Sequence, residues 1–210
     1  MKFISTLICK LKKILTLVPV ILCLFCPLTY AQREQPVIQN KNLTLGISLQ
    51  LYPAGIISTI DADLSQNKNA SLVVRLGGNF ADRKDFSRFH DHEQAAGVGG
   101  SIGYRKHFIL HKGEFIAGLN TDLWNLWINW KDEGGFIGEI RGRTHTLVLQ
   151  PWIETGYFTG TKKSPIQFGL TVGFGREINI ITIGEEVAQG WILSGLLHFH
   201  YVIKFNGNRI

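Results

Sequence analysis

Residues 166–174 read Ile166-Gln167-Phe168-Gly169-Leu170-Thr171-Val172-Gly173-Phe174. Ile166, Phe168, Leu170, Val172 and Phe174 are large and apolar, whereas Gln167, Gly169, Thr171 and Gly173 between them are slim or polar. Successive side chains of a strand point to opposite faces, so this stretch is a strand that is greasy on one side and slender on the other. The pattern recurs between turn-like gaps from Asn42 to Phe205, and it predicts one all-β domain: an eight-stranded antiparallel up-and-down barrel over 42–205.

Working outward from that strand, the first alternates Leu43, Leu45, Ile47, Leu49 and Leu51 against Thr44, Gly46, Ser48, Gln50 and Tyr52. Pro53-Ala54-Gly55 turns into a weaker strand over 56–64. The third strand sets Leu72, Val74, Leu76 and Phe80 against Ser71, Arg75, Gly77 and Asn79, with Val73 out of pattern. The fourth spans 98–108, with Val98, Ile102, Tyr104 and Phe108 on its apolar side. The fifth begins with Phe115, Ala117, Leu119 and Leu123; Leu126, Ile128 and Trp130 then continue the apolar row one residue out of phase, which predicts a β-bulge. Pro151, inside the sixth strand, predicts a second irregularity. The seventh runs from Ile166 to about Ile181 and the eighth from Trp191 to Phe205. Loops are expected at 81–97, 131–143 and 182–190, and short turns at 65–69, 111–113 and 160–165.

Residues 1–31 read as an export signal. Lys2, Lys10, Lys12 and Lys13 form a basic start, 14–26 an apolar core too short to span a bilayer as a helix, and Thr29-Tyr30-Ala31 a small-residue cleavage site. Two other readings are less consistent with the residues: an uncleaved anchor, and lipidation of Cys26, which follows Leu24-Phe25 and precedes Pro27. Residues 32–41 read as an N-terminal tail and 206–210 as a C-terminal one. The formal net charge of +6 falls to about +2 without the four signal lysines, which removes any charge argument for nucleic acid. All three cysteines, Cys9, Cys23 and Cys26, leave with the signal, so the exported chain is expected to hold together without disulfides.

A water-soluble barrel would turn its polar face outward and crowd it with lysine and glutamate. Here the polar face is mostly Gly, Ser, Thr, Asn and Gln, while the apolar face is nearly free of charge. An Arg or Lys on a lipid-facing strand costs roughly 2–4 kcal/mol at mid-depth, so the greasy face suits hydrocarbon and the slender one a narrow lumen. Arg75, Arg105, Asp122, Glu154 and Glu177 are then expected to form an ion-pair network that fills that lumen. Trp127, Trp130, Tyr157, Trp191, Tyr201 and Phe205 are expected to form aromatic girdles at the bilayer surfaces. Lipids of the outer membrane are the partner this implies.

The segments LGGNFADRKDF, GVGGSIGYRKHF and TDLWNLWINWKD, set in this strand pattern, resemble those of small eight-stranded outer-membrane β-barrel proteins of Gram-negative bacteria, in the size class of the OmpA membrane domain, OmpX and PagP and nearest an uncharacterised branch. The resemblance covers about 42–205. It implies residence in the cell outer membrane and insertion by the outer-membrane assembly machinery. Such chains usually stop on an aromatic residue; here Asn-Gly-Asn-Arg-Ile follows Phe205.

Other motifs carry less chemistry. Asp82, Arg83, Asp85, His90, His92 and Glu93 mark the 81–97 loop as a candidate extracellular surface for an unknown ligand. His90-Asp91-His92-Glu93 offers metal-capable groups without a third fixed ligand, and a solvated charged loop accounts for it. His145, with Glu133 and Glu139 in the neighbouring loop, lacks a serine partner for a lipid A-modifying triad. His198 and His200 share one face of the last strand and read as interior hydrogen-bonding or weakly pH-sensitive groups. Neither a metal nor a cofactor is expected. The sequence favours a non-enzymatic barrel that anchors loops for binding or envelope integrity; a narrow, porin-like pore and a lipid A-modifying enzyme are the alternatives.

Overall fold

In the computed structural model, residues 42–67, 69–84, 91–134, 138–160 and 165–204 are described. The segments read above as an export signal and as two tails, together with Asp85, His90 and Phe205, lie outside the described residues. The described chain forms nine strands: β1 (Asn42–Tyr52), β2 (Gly55–Asn67), β3 (Ala70–Lys84), β4 (His92–Ile109), β5 (Gly113–Gly134), β6 (Gly138–Thr159), β7 (Ile166–Arg176), β8 (Ile178–Ile183) and β9 (Trp191–Lys204). β7 and β8 are one barrel stave interrupted at Glu177, because both pair with β6. The sheet therefore has eight staves.

Every neighbouring pair is antiparallel, in the order β5-β4-β3-β2-β1-β9-β7-β6, and a further β5–β6 ladder closes the ring. That last ladder is uninterrupted from Gly113↔Thr159 to Gly134↔Gly138. Closure leaves no open sheet edge along the staves, which a sheet in hydrocarbon requires.

The side chains sort as the alternation demands. Along β7, Ile166, Phe168, Leu170, Val172 and Phe174 face outward, with Leu170 62% exposed, while Gln167 and Thr171 are buried within the barrel. The same outward row continues through Leu45, Ile47, Ile60, Leu76, Val98, Ile102, Leu119, Ile153, Leu193 and Leu197. Aromatic side chains collect outside in two groups. Phe108, Phe115, Tyr157, Phe168, Phe199 and Tyr201 lie toward the end where β1 begins and β9 ends, and Phe80, Trp127, Phe174 and Trp191 toward the other.

Two of the expected irregularities are corrected. β5 has no bulge; its ladders to β4 and β6 keep register throughout. Leu126 and Ile128 instead point inward, where they pack with Ile57, Trp124, Val148 and Val187, and Trp130 follows them, donating its indole N–H to Thr144 Oγ1 (3.2 Å). Trp130 is thus half-buried on the inner side and not part of a lipid-facing girdle. At Pro151 the ladder to β5 is likewise unbroken. The irregularity lies in the opposite neighbour: pairing with β6 is interrupted between Trp152↔Gly175 and Leu149↔Ile178, across the break at Glu177, resumes in the same register, and shifts only beside Leu147. Pro151, which has no N–H to give, stands where a ladder is already interrupted.

The expected loops are also shorter. β3 continues to Lys84 and β4 begins at His92, so most of 81–97 is strand; β5 and β6 run on to Gly134 and Gly138 through most of 131–143. Arg83 and Glu93 consequently point into the barrel and are nearly buried, not displayed on a loop.

Glycine on the inner face of β7 makes room for rings from β6. A Cβ on Gly169 would come within 2.4 Å of the Phe158 ring, and one on Gly173 within 2.8 Å of the Trp152 ring. Gly169→Val is expected to displace Phe158 and cost about 1–3 kcal/mol. The measurement is the urea midpoint of the refolded barrel in detergent, with Gly190→Val, where a Cβ meets nothing within 4 Å, as the reference that stays near wild type.

Candidate functional site in the barrel lumen

The inner face carries a column of charged and polar side chains that crosses the barrel. In one tier Arg75, from β3, donates to Asp122 of β5 (3.1 Å) and to Ser101 of β4 (3.3 Å). Asp122 also accepts the indole N–H groups of Trp152 (2.8 Å) and Trp124 (3.3 Å), and the Arg75 guanidinium lies 4.7 Å from the Trp152 ring centre. Arg75 and Asp122 are 2% and 0% exposed. A buried charge pair is tolerable only when its remaining donors and acceptors are met, and these indoles meet those of Asp122.

The next tier is built on Arg105 of β4. Its guanidinium donates twice to Glu154 of β6 (3.0 and 3.1 Å) and once to Asp63 of β2 (3.1 Å). Glu154 further accepts from Asn120 (3.1 Å) and Thr171 (2.9 Å). His198 of β9 approaches the same carboxylate with Nε2 at 3.3 Å, and its Nδ1 lies 2.6 Å from Ser48 Oγ. Ser48 also bonds Asp61, whose other oxygen accepts from Thr59 (2.7 Å). His200 Nε2 stands 3.6 Å from Asp61, and both imidazoles lie 5.1 Å from the Phe158 ring centre.

Beyond this tier, toward the end where β1 begins and β9 ends, a cavity of about 30 Å³ is lined by Asp63, Arg105, His107, Glu114, Gln167 and His200 among others. His107 there is 3.3 Å from Glu114 and 2.7 Å from Ser71 Oγ. At the opposite end Arg83 forks onto Glu177 (2.8 and 3.0 Å), sits 3.7 Å from Glu93 and donates to the Ala188 carbonyl (3.2 Å). Asn179 binds the Val187 carbonyl (3.1 Å), and Val187 is tucked into the apolar cluster. The β8–β9 connection is thereby drawn inward at this mouth.

The five lumen residues expected from the sequence are all buried, in separate groups: Arg75 with Asp122, Arg105 with Glu154, and Glu177 with Arg83. Sequence reasoning missed Asp61, Asp63 and Glu114, gave His107 no partner on the inner face of its strand, and set Arg83 and Glu93 on a loop. The two aspartates share the inner phase of β2 with Ile57 and Thr59, a two-residue spacing that was legible but weak because the outward row of that strand is irregular. His90-Asp91-His92-Glu93 divides between the faces: His92 pairs with Asp82 outside (2.7 Å), whereas Glu93 lies inside. The hydrogen bond from His92 holds the exposed Asp82 carboxyl below its ordinary range. His145 is engaged by Asn125 (2.5 Å) and stacked on Trp127, away from the strand ends that carry Glu133 and Glu139. Of the expected girdle, Trp127, Tyr157, Trp191 and Tyr201 face outward.

No family model matches the chain, and no curated protein does. Among solved structures it is similar to Neisserial surface protein A (12% identity, 79% of this chain and 96% of that one, TM-score 0.41). It is also similar to the N-terminal β-barrel domain of Pseudomonas aeruginosa OprF (13%, 78% and 98%, TM-score 0.41). A third is the outer membrane protein AlkL in lipid bilayers (10%, 86% and 98%, TM-score 0.40).

Removing one partner of a buried pair leaves an uncompensated charge, at a cost of about 3–5 kcal/mol. Arg105→Met is therefore expected to lower the urea midpoint of the refolded barrel sharply, since it strands both Glu154 and Asp63. Arg141→Met, at an exposed pair with Glu139, leaves that midpoint unchanged.

Proposed function

We propose that the protein is a non-enzymatic barrel of the bacterial outer membrane whose strands anchor an extracellular surface used for binding or for envelope integrity. The observation that carries this reading is the pairing of a closed ring and an outer band nearly free of charge with a lumen crossed by salt-bridged side chains. Lipid on the outside and no water column on the inside is the setting in which such a sheet is stable. Two apolar-to-aromatic borders bracket the band, as bilayer surfaces would.

The exposed surface is best supplied by the β5–β6 hairpin. From Trp127 to Gly134 it rises roughly 20 Å at a strand's usual advance per residue, and its tip region carries Lys131, Glu133, Glu139 and Arg141. The ends of β3 and β4 stand beside it, with Asp82, His92 and Gln94 outward. A ligand for this polar ridge would be recognised by charge and hydrogen bonding, as no large apolar cleft lies there among the described residues.

Cell fractionation combined with gel migration tests the location. The cleaved chain, beginning at Gln32, is expected in the outer membrane and is expected to shift its mobility only after boiling; recovery in the soluble periplasm overturns the reading. Planar bilayers test the plugged lumen. No reproducible unitary current is expected from the wild type, and steady single-channel steps favour the narrow pore instead. Unaltered lipid A mass spectra on overexpression are the expected result for a non-enzyme.

A further inference from the structure

We infer that the lumen holds a zinc-class divalent cation between Asp61, His198 and His200. One donor atom from each residue lies within 4.8 Å of the other two, and all three side chains are buried. His198 Nδ1 is 3.8 Å and His200 Nε2 is 3.6 Å from the same Asp61 oxygen, Oδ2. Tetrahedral zinc holds nitrogen and oxygen donors at about 2.0–2.2 Å, which sets the donors about 3.3 Å apart. Each imidazole nitrogen needs to close on Asp61 Oδ2 by only a few tenths of an ångström, and the two nitrogens on each other from within 4.8 Å; Ser48 Oγ, in contact with both Asp61 and His198, stands where a fourth oxygen ligand or a water would complete the shell.

Three further observations point to a cation. His200 Nε2 is buried, is aimed at Asp61 and makes no hydrogen bond. A buried ring nitrogen left so is costly, and a metal bond satisfies it. Behind His198, the nitrogen not aimed at Asp61 is backed by Glu154 Oε1 (3.3 Å) and Thr171 Oγ1 (3.0 Å), the carboxylate backing that orients a metal-bound imidazole. Finally, the mid-lumen charges do not balance. Among the described residues of these two tiers, Asp61, Asp63, Asp122 and Glu154 face only Arg75 and Arg105 as permanent cations. A divalent ion on two neutral imidazoles and Asp61 supplies the two missing positive charges. The cavity that His200 lines provides the approach from the end of the barrel where β1 begins and β9 ends.

Two protonated imidazoles would balance the same charge, so the test separates metal from proton. The full-length mature barrel, without a polyhistidine tag, is stripped with chelator, refolded in detergent, incubated with zinc chloride and desalted. Metal analysis is expected to find one zinc per folded chain, and none in His200→Gln, with the boiling-dependent gel shift showing that each sample is folded. His111→Gln, in an exposed turn, retains the zinc. Cobalt in the wild type is expected to give the visible bands of a four-coordinate ion, which reads the site even if His200→Gln does not fold. Folded wild type that keeps no zinc, zinc retained equally by folded His200→Gln, or a six-coordinate cobalt spectrum overturns the proposal. None of these outcomes disturbs the location proposed above, which the gel shift and fractionation read separately.

Discussion

A strand whose two faces meet different solvents cannot end in an open edge. Each N–H and C=O along its length needs a partner, and hydrocarbon offers none. The β5–β6 ladder is where this chain meets that requirement: its unbroken register from Gly113 to Gly134 turns a meander into a ring. Once the ring exists, inside and outside are fixed for every residue by its phase. Everything else about the molecule is a consequence of what each side then contacts.

On the inside, eight staves leave a bore that side chains fill. Slender residues on β7 let Trp152 and Phe158 reach across from β6, and those rings lie against the guanidinium groups of Arg75 and Arg105. Indole N–H groups, hydroxyls and amides then meet the carboxylate oxygens that the arginines leave over. Aromatic rings and ion pairs thus work together: the rings exclude water, and the exclusion strengthens the pairs they border. Around Asp61 and the two histidines, carboxylate is in excess of the arginines that face it.

Much of this was legible beforehand, for a simple reason. Alternation with period two states which residues share a face, and the scarcity of charge on the greasy set states which face that is. The eight staves, the outward leucine row and the inward placement of Arg75, Arg105, Asp122, Glu154 and Glu177 followed from those two facts. The expected bulge in β5 failed instructively. Leu126 and Ile128 looked like a shift of phase, yet the register is continuous; what changes near Trp127 is the surroundings. Around and beyond that height the outer face carries Asn125, Asn129 and Lys131, while the inner face packs an apolar plug with Val187 of the following connection. A pattern read on the assumption of one outer solvent mistakes a change of solvent for a change of register.

The sequence alone determined the period, the phase and the polarity of the wall, because these depend only on neighbours two residues apart on the same strand. Partnership inside the lumen was decided by tertiary structure. Asp61, Glu154 and His198 come from three strands and meet Ser48 and Thr171 across 13 to 150 positions of chain. Arg83 meets Glu177 across 94 positions of chain, where the stave breaks and the β8–β9 connection folds inward. Which charges meet across a bore depends on the stagger with which eight strands close, and no single strand contains that information.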